Sequence, residues 1–128
     1  MAGMTLVEVM VALLISTVGL LGALALVGVS TQGAAFSRAA TEASVLAQSK
    51  LEAEVARVGV TMSSPANATT TEASLDALGT ASATGAYTRA TTWGASTDGL
   101  RRRVTVDVSW LDSLGRSHTI TASRERAP

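Results

Sequence analysis

The residue with the clearest chemical potential in this 128-residue chain is Glu8, a carboxylate at the start of a long apolar segment. The segment runs from Val9 to Val29, and only Ser16 and Thr17 among its 21 residues are polar. An unpaired charge beside such a segment is costly in an apolar medium. One interpretation is that Glu8 is held for a positively charged partner on another copy or relative of this chain. A simpler alternative is a carboxylate at a membrane interface, stabilised there by the positive end of the helix dipole.

The other titratable residues predict neither a catalytic site nor a metal site. The chain has no cysteine and one histidine, which excludes a disulfide framework and a thiolate metal site and leaves little basis for a histidine-ligated zinc ion. No spacing of Ser, His and Asp suggests a nucleophile, and no paired carboxylates suggest acid–base chemistry. We expect a protein that is not an enzyme and needs no cofactor.

Positive charge is concentrated near the C-terminus, although the formal net charge is zero. From Gly99 onward there are six arginines and three acidic residues. Arg101, Arg102 and Arg103 could contact nucleic-acid phosphates, but such a run at the start of a strand is more typical of a solvated edge that blocks unwanted pairing. Nucleic acid is therefore not the expected partner.

The apolar segment is long enough to cross a membrane, since 21 helical residues span about 30 Å. It lacks the basic start, shorter apolar stretch and small-residue exit of a cleavable signal, so we expect it to be retained. The helical pattern continues beyond it without a proline, which predicts one helix from Thr5 to Gly59 with Gly59 as its C′ stop. Small residues in this helix would allow neighbouring helices to approach closely: Ala12, Gly19, Gly22, Ala23 and Gly28.

Residues 30–59 form the amphipathic continuation of the helix. Three charged pairs at i,i+4 or i,i+3 spacing are expected to stabilise it by a few tenths of a kcal/mol each: Arg38 with Glu42, Lys50 with Glu54, and Glu54 with Arg57. A separate apolar stripe comprises Phe36, Ala40, Ala43, Ala47, Leu51, Val55 and Val58.

Residues 60–85 are rich in Ala, Ser and Thr and predict a long connection that contains one short helix. Thr69 and Glu72 have the spacing of a capping box ahead of Leu75 and Leu78, and Gly79 would end this helix.

Residues 86–128 predict an antiparallel sheet. Its expected strands are Ala86–Trp93, Arg103–Leu111 and Ser117–Ser123. The DSLGRS stretch between the last two predicts a hairpin turn, with Gly115 at a positive φ. The middle strand alternates in polarity, and its apolar side consists of Val104, Val106, Val108 and Trp110.

The sheet has one face to bury, and the apolar stripe of the helix is the only surface long enough to cover it. The expected fold class is α+β, with a long N-terminal helix whose distal half packs on a three- to four-stranded antiparallel sheet. Trp93 and Trp110 are then expected in the core or in an interface rather than stacked on a ligand. His118 is expected to be structural or exposed.

The stretch GMTLVEVMVALLISTVGLLGALAL, Gly3–Leu26, resembles the N-terminal signature of type IV pilins and of the pseudopilins of type II secretion. In that signature a Gly ends a short leader, and Thr-Leu-hydrophobic-Glu and a long apolar helix follow. The expected order of long helix, αβ-loop and antiparallel sheet is that of the pilin fold. VALLISTVGLLGALAL and the later VTVDVSWLDSLGRSHTITAS are most similar to the PilV-type minor pilins.

The resemblance implies a leader of residues 1–3 and a transmembrane and assembly helix of residues 4–29. It implies that prepilin peptidase cuts between Gly3 and Met4 and that the new Met4 amine is methylated. Thr5, Leu6 and Glu8 are the assembly residues, with Glu8 fifth in the mature chain. Two features depart from the family pattern: residues 1–3 carry no Lys or Arg, and Met4 stands where Phe is commoner.

The function implied is that of a minor pilin in a complex that primes or tips a type IV pilus. Its partners would be prepilin peptidase, other minor pilins, the major pilin and, before assembly, bacterial inner-membrane lipid. The N-terminus would be cytoplasmic and the sheet periplasmic, with the assembled pilus at the cell surface. The alternatives are a minor pseudopilin of type II secretion, a DNA-uptake minor pilin and a solitary membrane-anchored β-domain.

Overall fold

A computed structural model describes residues 5–61, 67–95 and 101–126, without the side chains of 58–61, 95 and 126. The chain forms two compact units, Met1–Ala35 and Phe36–Pro128. The elements are one α-helix and four strands: α1 Leu6–Thr61, β1 Ala68–Leu75, β2 Tyr87–Ala95, β3 Arg102–Leu111 and β4 Ser117–Arg126. The predicted α+β class is confirmed.

The helix α1 has the predicted extent except at its ends. It begins at Leu6 and continues past Gly59 to Thr61, so the prediction that Gly59 is its C′ stop is wrong. A glycine within a helix costs only about 1 kcal/mol relative to alanine, which does not by itself end a long helix. The side chain of Val58 lies outside the described residues.

The four strands form one antiparallel sheet in the order β1-β2-β3-β4, so each strand pairs with its neighbour in sequence. The three strands predicted from the sequence are confirmed as β2, β3 and β4, and β4 extends further, to Arg126. The sheet lies in the second unit together with the part of α1 that begins at Phe36.

The first strand replaces the short helix predicted between Thr69 and Gly79, and that prediction is wrong. Thr69, Thr70 and Thr71 are consecutive β-branched residues, which fit a pleated strand better than a helix. They pair with β2, and the hydroxyl oxygens of Thr69 and Thr92 lie 3.2 Å apart across the two strands. The backbone hydrogen bonds supplied by β2 outweigh the local capping-box signal.

The core lies between one face of the sheet and the second-unit part of α1. Ala43 and Ala47 of the predicted stripe are buried, and Leu51 and Val55 are partly buried beside them. Leu46, which was not predicted in the stripe, is 2% exposed. The sheet contributes Leu75, Tyr87, Trp93, Val104, Val106, Val108 and Trp110. The predicted alternation of β3 and the predicted burial of both tryptophans are therefore confirmed.

Charged side chains connect α1 to the sheet at the margin of this core. Arg89 on β2 donates from Nε to Oε2 of Glu72 on β1 at 2.8 Å, and Lys50 Nζ lies 3.5 Å from the same oxygen. The hydrogen bond from Arg89 lowers the pKa of Glu72 below its usual value. The ion pairs predicted along the helix are also formed: Arg38–Glu42 at 2.8 Å, Lys50–Glu54 at 3.4 Å and Arg57–Glu54 at 2.8 Å.

Two turns have the same sequence pattern and the same hydrogen bonds. LDALGT, Leu75–Thr80, begins with the last residue of β1 and forms the turn after it. LDSLGR, Leu111–Arg116, begins with the last residue of β3 and forms the turn after that strand. In each turn the Asp Oδ1 accepts from the backbone N–H groups of the second and fourth residues after it, all at 2.9 Å. The glycines have φ of 80° and 75°, which confirms the positive φ predicted for Gly115.

Gly85 lies where the chain passes directly beside the end of β1. A Cβ at this position would lie 2.2 Å from the carbonyl carbon and oxygen of Ser74 and 2.6 Å from the nitrogen of Leu75. Ser74 itself has a positive φ of 55° at an irregularity in the β1–β2 pairing. Backbone atoms cannot move aside as a flexible side chain can, so this position requires glycine.

We expect Gly85→Ala to lower the free energy of unfolding by about 2–3 kcal/mol, because the backbone must shift to relieve the overlap. The matched control is Gly94→Ala in β2, since no atom lies within 4 Å of a Cβ there. The control should change stability by less than about 0.5 kcal/mol. Denaturant titration of the full chain in detergent, followed by the emission of the buried Trp93 and Trp110, measures the stability of both variants. Equal stability of the two variants would contradict the close approach of Gly85 to the backbone of Ser74.

Candidate assembly site

The first turn of α1 positions Glu8, and Thr5 acts as its N-cap. The backbone N–H of Glu8 donates to the Thr5 carbonyl oxygen at 3.1 Å and to Thr5 Oγ1 at 3.3 Å, and the N–H of Val9 donates to the same carbonyl at 3.3 Å. Thr5 and Glu8 have the spacing of a capping box, S/T-x-x-E, which the sequence reasoning did not use. The cap therefore gives Thr5 a structural role in addition to any role in assembly.

The carboxylate of Glu8 is exposed, and among the described residues no basic side chain forms an ion pair with it. Its position in the first turn places it at the positive end of the helix dipole. This agrees with the simpler alternative and leaves the carboxylate available for a cation from another chain. Gly3 and Met4, the predicted processing residues, lie outside the described residues.

The apolar part of α1 has no cover within the described part of its own unit. Every large apolar side chain from Leu6 to Val29 is exposed, and the most covered of them, Val9, is still 42% exposed. The helix is long and apolar enough to cross a membrane. Such a surface does not persist in water and has to be covered by lipid or by other helices.

Two hydroxyl groups of this helix bond to carbonyl oxygens of the same helix. Thr17 donates from Oγ1 to the Leu14 carbonyl oxygen at 2.8 Å, and Thr31 donates to the Gly28 carbonyl oxygen at 3.0 Å. A hydroxyl that is satisfied by its own helix costs little when water is removed. Among the described residues, the carboxylate of Glu8 forms no such bond within its own helix.

The glycines of the apolar segment are not required by the chain's own packing. An added Cβ at Gly19, Gly22 or Gly28 would meet no atom within 4 Å. The described part of the chain thus provides no internal reason for small residues at these positions. Close packing of another helix and ordinary tolerance of glycine in membrane helices remain the two explanations.

The arginine run lies in the second unit. Arg102 and Arg103 begin β3, and Arg103 forms an ion pair with Glu125 across the β3–β4 pairing. Trp93 and Trp110 are buried and present no aromatic face beside the run. The arrangement resembles a paired strand end more than a nucleic-acid interface with interleaved aromatics.

Comparison of the chain with protein-family models, characterised proteins and solved structures finds no match. The functional argument therefore depends on the residues themselves. Their arrangement combines an exposed apolar helix, a capped N-terminal turn that holds one carboxylate, and an α+β unit on the same chain. This arrangement suits lateral association with other helices in an apolar medium.

Proposed function

We propose that this chain is a minor pilin, a non-enzymatic subunit of a complex that primes or tips a type IV pilus. The observation that carries the proposal is Glu8 in the capped first turn of α1, where every large apolar side chain from Leu6 to Val29 is exposed and no cation among the described residues pairs with Glu8. The α+β unit of helix and four-stranded antiparallel sheet supports it, as does the resemblance of Gly3–Leu26 to the pilin signature.

In the proposed mechanism, the chain is first held in the inner membrane by its apolar helix. Removal of residues 1–3 exposes a new ammonium group at Met4, and methylation keeps it positive. In a bundle of packed helices with little water, this ammonium of one subunit and Glu8 of another attract each other strongly. Because either charge is costly alone, the pair favours a single axial register between neighbouring helices.

The mass of the chain isolated from its native host tests this processing. We expect an intact mass that corresponds to a chain beginning with methylated Met4. A Gly3→Val variant should retain residues 1–3, because the signature requires a small residue before the cut, whereas an Ala2→Ser control should be processed normally. A native chain that retains its first three residues would contradict the proposal.

The partners that co-purify with the processed chain distinguish the two closest functions. Recovery with pilus components supports the minor pilin. Recovery with secretion components would instead assign the chain to the type II pseudopilins, whose architecture and N-terminal chemistry would be the same.

A further inference from the structure

The two edge strands of the sheet, β1 and β4, differ in how much of the core they cover. Within Ala68–Ala73, the part of β1 before its irregularity, no residue is buried and only Glu72 is partly covered. The one buried residue of the strand is its last, Leu75. On the opposite edge, Ile120 and Ala122 of β4 pack against the core. β1 therefore loses much less apolar contact than β4 would if it left the sheet.

β1 is also paired less regularly than β4. The register of β1 on β2 shifts between Glu72 and Leu75, where Ser74 has a positive φ of 55°. The register of β4 on β3 shows no such shift from Ser117 to Arg126. Beyond the irregularity of β1, Leu75 lies in the core and is paired with Tyr87. The irregularity therefore separates a weakly held segment of β1 from an anchored residue.

The part of β2 that pairs with this segment contains buried polar atoms without partners. Trp93 lies opposite Ala68, and Thr91 lies opposite Thr70. Trp93 and Thr91 are both buried, and neither Trp93 Nε1 nor Thr91 Oγ1 has a hydrogen-bond partner among the described residues. A buried polar atom without a partner is costly, and contact with water removes that cost. Separation of β1 from β2 would admit water beside these side chains, which offsets part of the cost of breaking the strand pairing.

We propose that Ala68–Ala73, which we call the strap, opens from β2 while the rest of the second unit stays folded, and that protonation of Glu72 releases it. Charged groups face Glu72 from both neighbouring elements. Arg89 of β2 donates from Nε to Glu72 Oε2 at 2.8 Å, and Lys50 Nζ of α1 lies 3.5 Å from the same oxygen. Glu54 of α1 shares Lys50 with Glu72. A neutral carboxyl loses its attraction to both cations, so it holds the strap less firmly. In the open state β2 is the edge of a three-stranded sheet. The opening concerns the second unit alone and does not depend on pilus assembly.

Native-state amide hydrogen exchange of the full chain in detergent tests this opening. Peptides are followed by mass spectrometry at increasing denaturant below the global unfolding transition. We expect the amides of the strap to exchange through an opening that depends weakly on denaturant, because it exposes little surface. The amides of β3 and β4 should exchange only by global unfolding, with a steep dependence. If the strap and β3 share one protection and one denaturant dependence, the strap does not open separately and the proposal is overturned.

Two single substitutions separate the strap from the rest of the unit. Glu72→Gln removes the charge and should speed exchange of the strap about tenfold or more at neutral pH. This difference from the native chain should shrink as the pH is lowered, because the native carboxyl is then protonated too. The control is Ile120→Val in β4, which stays folded when the strap opens. It should speed exchange of β3 and β4 roughly two- to tenfold and leave the strap unchanged. Equal acceleration of the strap and β3 by Ile120→Val, or no effect of Glu72→Gln on the strap, would overturn the proposal.

A disulfide provides a direct lock, because the chain has no cysteine and the hydroxyl oxygens of Thr69 and Thr92 lie 3.2 Å apart across β1 and β2. Oxidation of a variant that carries both Thr69→Cys and Thr92→Cys should slow exchange of the strap to that of β3, and reduction should restore it. A strap that exchanges equally fast in the oxidised and reduced variant does not exchange by opening, which contradicts the proposal. Because no other subunit is present, each of these results leaves the proposed role in pilus assembly untouched.

Discussion

Replacing Glu8 with alanine is expected to leave the chain in the membrane and to abolish its assembly with other subunits. The substitution makes the apolar helix more apolar, so insertion should be unaffected or improved. In the assembled bundle it would leave the ammonium of a neighbouring chain without its counter-charge. Breaking a buried ion pair in this way costs about 3–5 kcal/mol, which weakens that contact by roughly a hundredfold or more. Fractionation of cells into membranes and sheared filaments measures both outcomes.

Three further variants separate charge from other causes. Glu8→Gln keeps the size of the side chain and should fail as alanine does, while Glu8→Asp keeps the charge and should retain part of the assembly. Thr17→Val is the matched control, because it also removes a polar group from the apolar helix, but one already satisfied by the Leu14 carbonyl oxygen. Normal recovery of the Glu8→Ala chain in filaments would defeat the electrostatic mechanism.

Glu72→Ala is expected to lower the free energy of unfolding by about 3 kcal/mol, the largest loss of stability that we anticipate for a single charged residue. The side chain of its partner, Arg89, is only 9% exposed and would be left in the core margin without its hydrogen bond. Lys50 would lose its link to the sheet at the same time. Denaturant titration of the full chain in detergent, followed by tryptophan emission, measures the loss.

Glu125→Ala is the matched control for this prediction. It also removes the acidic partner of an arginine across two paired strands, but the side chain of Arg103 is 41% exposed. Water can replace the lost contact, so the expected loss is below about 1 kcal/mol. Similar losses in the two variants would show that burial of Arg89 is not the reason for the effect.

The acid dependence of stability offers a second readout for Glu72. The pKa of Glu72 is lowered in the folded chain, mainly by the hydrogen bond from Arg89. The contribution of ionised Glu72 to stability is therefore fully present at pH values above the usual pKa that it has in the unfolded chain. The contribution begins to diminish as the pH falls below that usual value, and it is lost as the pH falls through the lowered folded value. Glu72→Gln should therefore be less stable than the native chain at neutral pH and should approach it in stability at low pH.

Local patterns in the sequence were sufficient for the features that depend on near neighbours. The apolar length of Val9–Val29, the charged pairs one helical turn apart, the alternation of β3 and the positive φ of Gly115 each follow from residues a few positions apart. Glu8 was also evident from the sequence, because a single charge beside a long apolar segment is conspicuous without any knowledge of the fold. The capping role of Thr5 could have been predicted from its spacing to Glu8.

Only the tertiary structure decided the features that join distant parts of the chain. The capping-box spacing of Thr69 and Glu72 favoured a helix, but pairing with β2 made this segment a strand. The same pairing places Glu72 opposite Arg89 and next to Lys50, and it brings Gly85 against the backbone of Ser74. The contact between the rings of Phe36 and Trp110 joins residues more than seventy positions apart. Local spacing specifies backbone conformation, whereas burial, ion pairing between elements and steric approach depend on which distant segments the folded chain brings together.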